Sequence, residues 1–156
     1  MKIVIEEIRN IPDTEIVIKC RKRDDYVESI VASLRLFERN VTGKKEGSSF
    51  IITAAEVYYF ESVDDKVFCY AEKEVYETSL KLYEIETSFR GSPFLRVNKS
   101  MILNVTKIRE FKSLLNGRME AVLDNSERIE ISRNYVPALK VMLGGMNKCK
   151  KRLSRF

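Results

Sequence analysis

The stretch Phe94-Leu95-Arg96-Val97-Asn98-Lys99-Ser100-Met101-Ile102-Leu103-Asn104 decides how this chain is read. Apolar residues with strand character flank a polar trio, Asn98-Lys99-Ser100. A short donor-rich break between strands builds no core, but it presents hydrogen bonds and one positive charge to the outside. A second such break, Ser132-Arg133-Asn134-Tyr135, follows further along. Residue types alone leave each break open to two readings, a contact surface or an ordinary polar turn.

Working outward, the segments around these breaks alternate or cluster apolar residues at strand period. Strands are expected at Phe50–Thr53, Val57–Glu61, Val67–Glu72, Glu74–Thr78, Phe94–Val97, Met101–Val105, Ile108–Leu115, Arg118–Leu123 and Arg128–Ser132. Val63-Asp64-Asp65-Lys66 and Asp124-Asn125-Ser126 read as turns, and Asn116-Gly117 is the strongest hairpin signal. Leu80–Phe89 reads as a short helix capped by Thr78 or Ser79 and stopped by Gly91-Ser92-Pro93. Tyr135–Leu143 reads as a closing helix with Pro137 in its first turn, ended by Gly144-Gly145. The tyrosines and phenylalanines at 58, 59, 60, 68 and 70 fall at strand period and read as core or a packed flank rather than a stacking platform for single strands.

Ahead of this region, Lys2–Ile8 and Glu15–Cys20 alternate like strands. Asp24–Arg39 carries Val27, Ile30, Leu34 and Phe37 at helical spacing, with Asp25 and Glu28 as its cap. Gly43 and Gly47 bracket a turn at Lys44-Lys45-Glu46. Residues 1–50 are thus expected to form a β-β-α annex, 54–144 a mostly β domain with short helices (α+β overall), and 145–156 a loose basic tail.

Charge points to a partner. Residues 91–156 hold 14 basic and 5 acidic side chains, a net of +9. Residues 51–90 hold 4 and 9, a net of −5, and residues 1–50 hold 10 and 9. The positive field therefore coincides with both polar breaks, which suits a polyanion; a solvated lysine-rich surface is the alternative. The 156 residues, 44% hydrophobic and 33% charged, suit a soluble globular chain. Apolar runs such as Phe50–Ala55 are too short to span a bilayer, and the N-terminus has no signal-peptide pattern. Histidine is absent and the three cysteines, Cys20, Cys69 and Cys149, are far apart. That removes the commonest general base and zinc ligand and argues against a disulfide framework, so neither an enzyme, a cofactor nor a metal site is expected.

Together these features resemble the LytTR family of bacterial DNA-binding domains over about Ala54–Gly144. The resemblance rests on Val57-Tyr58-Tyr59-Phe60-Glu61-Ser62 and its turn, the Leu80–Phe89 helix, Phe94-x-Arg96-Val97-x-x-Ser100-x-Ile102-Leu103-Asn104, Asn116-Gly117, and Ile131-Ser132-Arg133-x-Tyr135. It implies an elongated β fold that grips the major groove of duplex DNA through loops, often bending it. It also implies base contacts in the turn matching Lys66-Val67, in Asn98-Lys99-Ser100 and at Arg133. The expected DNA-binding set is Lys66, Asn98, Lys99, Ser100, Arg133 and Asn134, with Asn104 and Tyr135 partly structural. At Asn98 many family members carry histidine. Most members have a receiver domain in front, where this sequence has the annex. The expectation is therefore a cytoplasmic, stand-alone bacterial transcriptional regulator that forms a homodimer or meets a regulatory protein through residues 1–50. The rival readings are a single-strand or RNA binder using aromatic strands, and a protein-interaction module without nucleic-acid affinity.

Overall fold

The computed structural model describes residues 1–153, with side chains for residues 1–145. Its helices are α1 (Asp25–Glu38), α2 (Leu82–Ser88) and α3 (Val136–Leu153). Its strands are β1 (Asn40–Lys45), β2 (Ser48–Thr53), β3 (Val57–Val63), β4 (Lys66–Ala71), β5 (Val75–Thr78), β6 (Phe94–Asn98), β7 (Met101–Asn104), β8 (Ile108–Ser113), β9 (Met119–Leu123) and β10 (Arg128–Ile131). Seven strands form one antiparallel sheet in the order β2-β1-β5-β4-β3-β7-β6, and a second sheet runs β10-β9-β8. The fold is mostly β with short helices, α+β overall, as expected.

Burial on both faces of the large sheet sets two cores. On one face Tyr59, Val97, Leu103 and Val105 pack against Met119, Leu123 and Ile131 of the small sheet and Leu139 of α3. On the other, Val57, Phe60 and Ile102 pack against Leu82, Ile85 and Phe89 at α2 and Leu36 of α1. Phe60, Phe89 and Phe94 form an aromatic triangle with centroids 5.9, 5.5 and 4.8 Å apart. Tyr59 stacks on Tyr70 at 4.4 Å. The aromatic residues at 58, 59 and 60 are buried, as their spacing predicted, and so offer no stacking platform.

Several local expectations are corrected. Lys2–Ile8 and Glu15–Cys20 form no ladder, because alternation marks an amphipathic extended chain without supplying a neighbouring edge. The N-cap of α1 is Asp24, whose side chain accepts from Val27 N–H at 3.1 Å, not Asp25. Helix α2 begins at Leu82 behind Lys81, with Glu84 reaching back to the Lys81 N–H at 2.7 Å; Thr78 instead accepts from Leu80 N–H. Gly43 lies inside β1, where a Cβ would come within 2.5 Å of Tyr76, and only Glu46-Gly47 turns. Gly144 and Gly145 do not end the last helix. At Gly145 a Cβ would stand 2.9 Å from Ser29 Oγ, so this glycine marks where α1 and α3 cross closely. Side chains of the expected basic tail from Lys148 onward lie outside the described residues.

Candidate nucleic-acid interface

The break at Asn98-Lys99-Ser100 is a tight link between β6 and β7, with Asn98 paired to Met101. A register shift falls between Arg96 and Asn98, a bulge that frees Val97 from the ladder. The Val97 carbonyl then accepts from Ser132 N–H at 2.9 Å. One hydrogen bond thereby joins the two polar breaks, which are far apart in sequence. The Asn98 amide reinforces it by donating to the Glu130 carbonyl at 3.4 Å. On the other side, the Ser100 carbonyl accepts from Ser62 N–H at 2.8 Å. That brings the β3–β4 turn, Asp64-Asp65 with φ of 48° and 63°, to the same end of the sheet.

Arg96 holds the break from behind. Its Nε donates to the Asn98 carbonyl at 2.9 Å, one terminal nitrogen donates to the Lys99 carbonyl, and the other pairs with Glu86 at 3.3 Å. The residue types of the break gave no sign of this bracing role. A charged residue between Leu95 and Val97 was its only trace. Asn98 also organises the link, because its Oδ1 accepts from Ser100 N–H at 2.9 Å and from Ser100 Oγ–H at 3.1 Å. One of its two amide hydrogens goes to Glu130, so among the described residues the other remains available to an external acceptor.

Arg133 opens a short 3-10 turn, Arg133–Tyr135, between β10 and α3. It is exposed, and among the described residues it makes no ion pair. Glu130, on the strand that leads into this turn, pairs with Arg118 at 2.8 Å. The Arg133 side chain lies along the β8–β9 loop, where a Cβ on Gly117 would meet its Cγ at 3.0 Å and its Cδ at 3.1 Å. Asn116 and Gly117 both have left-handed backbone, φ 62° and 74°, so the predicted turn lies between the predicted strands. Gly117→Ala is expected to cost about 1–2 kcal/mol of stability through its positive φ and to push Arg133 off its shelf. Thermal melting and duplex affinity measured together test this; if both are unchanged, Gly117 is no shelf.

The remaining expected residues differ in what they offer. Lys99 and Asn134 are exposed, and Lys99 makes no ion pair among the described residues. Lys66 is exposed but pairs with Glu77 at 3.3 Å. That pair is well solvated, so exchanging it for a phosphate costs little. Asp64 and Asp65 sit at the same turn, which makes it the least electropositive of the three loops. Lys81, not singled out from the sequence, donates to the Asp65 carbonyl at 3.1 Å and props the turn. Asn104 is fully buried: it donates to the Val57 carbonyl at 2.8 Å and accepts from Thr106 N–H and Oγ–H at 3.2 and 2.7 Å. Tyr135 packs against the core. Both are structural.

Among the described residues no group of three or more metal-binding side chains gathers. Burial pushes the Cys69 thiol up to about 12, so it stays protonated and unreactive.

The family model for the LytTr DNA-binding domain matches residues 47–144. Sensory transduction protein LytT of Enterococcus faecalis is 26% identical over 99 residues, covering 64% of this chain and 41% of that protein. The chain thus spans about two fifths of that relative's length. An uncharacterized HTH-type transcriptional regulator of Staphylococcus aureus is 27% identical over 138 residues, covering 86% of this chain and 93% of that protein. The solved LytTr DNA-binding domain of a Bacillus cereus protein superimposes with a TM-score of 0.64 at 27% identity, covering 67% of this chain and 96% of that one.

Proposed function

The chain belongs to the LytTr DNA-binding domain family, and from that premise we propose that it reads a specific duplex site through the loops at one end of its large sheet. DNA binding in transcription regulation is the family's function. Arg133, Asn98 and Lys99 contact bases in the major groove, while Lys66, Ser100 and Asn134 help to position the backbone. The observation that carries this reading is the Ser132 N–H to Val97 carbonyl bond. It holds together two polar breaks whose cations, Lys99 and Arg133, make no ion pair among the described residues.

A guanidinium that is uncompensated and exposed can fork onto guanine O6 and N7 without first breaking an internal pair. The single-strand reading finds less support, because Tyr58, Tyr59 and Phe60 are packed into the core. Competition between duplex and single strand in one gel-shift experiment tests the choice; preference for the single strand would overturn the duplex reading. Lys99→Ala is expected to reduce the slope of log affinity against log salt by about 1, measured by titration at several salt concentrations. An unchanged slope would count against a phosphate contact by Lys99.

The same reading includes a bacterial, cytoplasmic regulator acting as a homodimer or with a regulatory protein at residues 1–50. Among the described residues, no helix is long and apolar enough to cross a membrane.

A further inference from the structure

Two five-residue pieces of the N-terminal segment are mirror images of each other in sequence. Lys2-Ile3-Val4-Ile5-Glu6, read backwards, has the residue order of Glu15-Ile16-Val17-Ile18-Lys19. Both alternate like strands, yet among the described residues neither belongs to a ladder. Except for the half-buried Ile18, their apolar side chains are open to solvent, Ile3 at 75%, Ile5 at 86%, Ile16 at 64% and Val17 at 72% exposed. They border a cavity of about 1390 Å³ floored by Tyr26, Ile30 and Leu34 of α1. Strand-forming apolar segments left bare are a standing invitation to pairing.

Charge decides the partner. Folding the two pieces onto each other as an antiparallel hairpin, apolar trio against apolar trio, sets Lys2 opposite Lys19 and Glu6 opposite Glu15. Like charges directly opposite destabilise a strand pair. Parallel pairing would match the charges, but a parallel connection needs about a dozen residues or more, and only residues 7–14 intervene. Across a two-fold axis the conflict disappears. Lys2–Glu6 laid antiparallel on its own copy sets Lys2 against Glu6, Ile3 against Ile5 and Val4 against Val4, with Glu6 against Lys2 closing the symmetric set. Glu15–Lys19 does the same about Val17.

We propose that residues 2–19 form the interface of a homodimer in which each piece pairs antiparallel with the same piece of a second copy. This gives the dimer of the preceding reading a structural basis and rests on that part of it, while being independent of the DNA-contacting loops. The interface is isologous, as a two-fold dimer requires, and main-chain bonds between copies supply the ladder that neither piece has among the described residues.

Sedimentation velocity of the full chain without DNA tests the proposal. The expected result is a dimer across the micromolar range. Lys2→Glu places like charges opposite at both symmetric pairs and should weaken the dimer about tenfold. The exchanged variant Lys2→Glu/Glu6→Lys restores each self-pair and should recover the original mass. Pairing of Lys2–Glu6 with Glu15–Lys19 predicts otherwise. Laid parallel, the exchange would set a carboxylate at position 2 against Glu15 and deepen the defect. Laid antiparallel, Lys2→Glu would face Lys19 and strengthen the association. Either result would overturn the proposal, and so would a wild-type chain that stays monomeric. Binding of random duplex should be equal in all three proteins. Loss of that binding with no change in mass would put the segment on DNA instead and sink the proposal, whereas a DNA-binding failure shared by all three leaves the mass measurement to judge the dimer alone.

Discussion

Arg133→Ala is expected to weaken binding to the specific site by about 1–3 kcal/mol, roughly a 5- to 150-fold loss, while leaving binding to random duplex nearly unchanged. The asymmetry follows from where the guanidinium stands. It leans on Gly117, makes no ion pair among the described residues, and opens the turn that precedes α3. A cation that only neutralised phosphate would be lost equally on every sequence and would lower the salt slope. Arg133→Lys separates the two contributions further: it keeps the charge but not the planar fork, so affinity for random duplex should hold while discrimination falls. Gel shifts on a selected site and on random duplex decide the matter. Equal losses on both would end the base-reading role.

Asn104→Ala should produce the largest loss of stability, about 2–5 kcal/mol. Asn104 is wholly buried and satisfies three groups at once, the Val57 carbonyl and the Thr106 N–H and hydroxyl. Truncation leaves the buried Val57 carbonyl and the half-buried Thr106 groups without their partner, and each unmet buried group costs about 1–3 kcal/mol. For a chain of this length the melting temperature should fall by roughly 5–15 °C, as read by calorimetry. Asn104→Asp gives a sharper comparison. It retains the acceptor for Thr106 but turns a carboxylate oxygen on the Val57 carbonyl, so it should be nearly as damaging. A loss under about 1 kcal/mol for either variant would mean that these partners reach water.

How much of this was legible beforehand depended on whether the signal was local. The β hairpins, the Asp64-Asp65 and Asn116-Gly117 turns and the buried aromatic strand could be read from spacing, because alternation and turn chemistry act over a few residues. The helix caps lie one to three residues from their expected positions, since neighbouring polar residues such as Asp24 and Asp25 differ as caps only once backbone geometry selects one. Gly144-Gly145 looked like a helix stop, but the close crossing of α1 and α3 at Gly145 needs a residue without a side chain inside the helix. The expected strands at the N-terminus failed for a related reason: period two describes a chain that could pair and says nothing about whether an edge is there.

The candidate site divides the same way. Residue types and spacing carry the ingredients: two donor-rich breaks, an arginine at the start of the last turn and helix, and a positive C-terminal portion. They could not determine that Val97 is freed by a bulge and accepts from Ser132, that Arg96 holds the break by its carbonyls, or that Arg118 pairs with Glu130 while Arg133 makes no ion pair among the described residues. Those facts depend on residues distant along the chain meeting at hydrogen-bond range, which local pattern does not encode. Charge and polarity are carried by each residue wherever it lies, whereas availability depends on which neighbours the packed sheets bring close enough to compete for it.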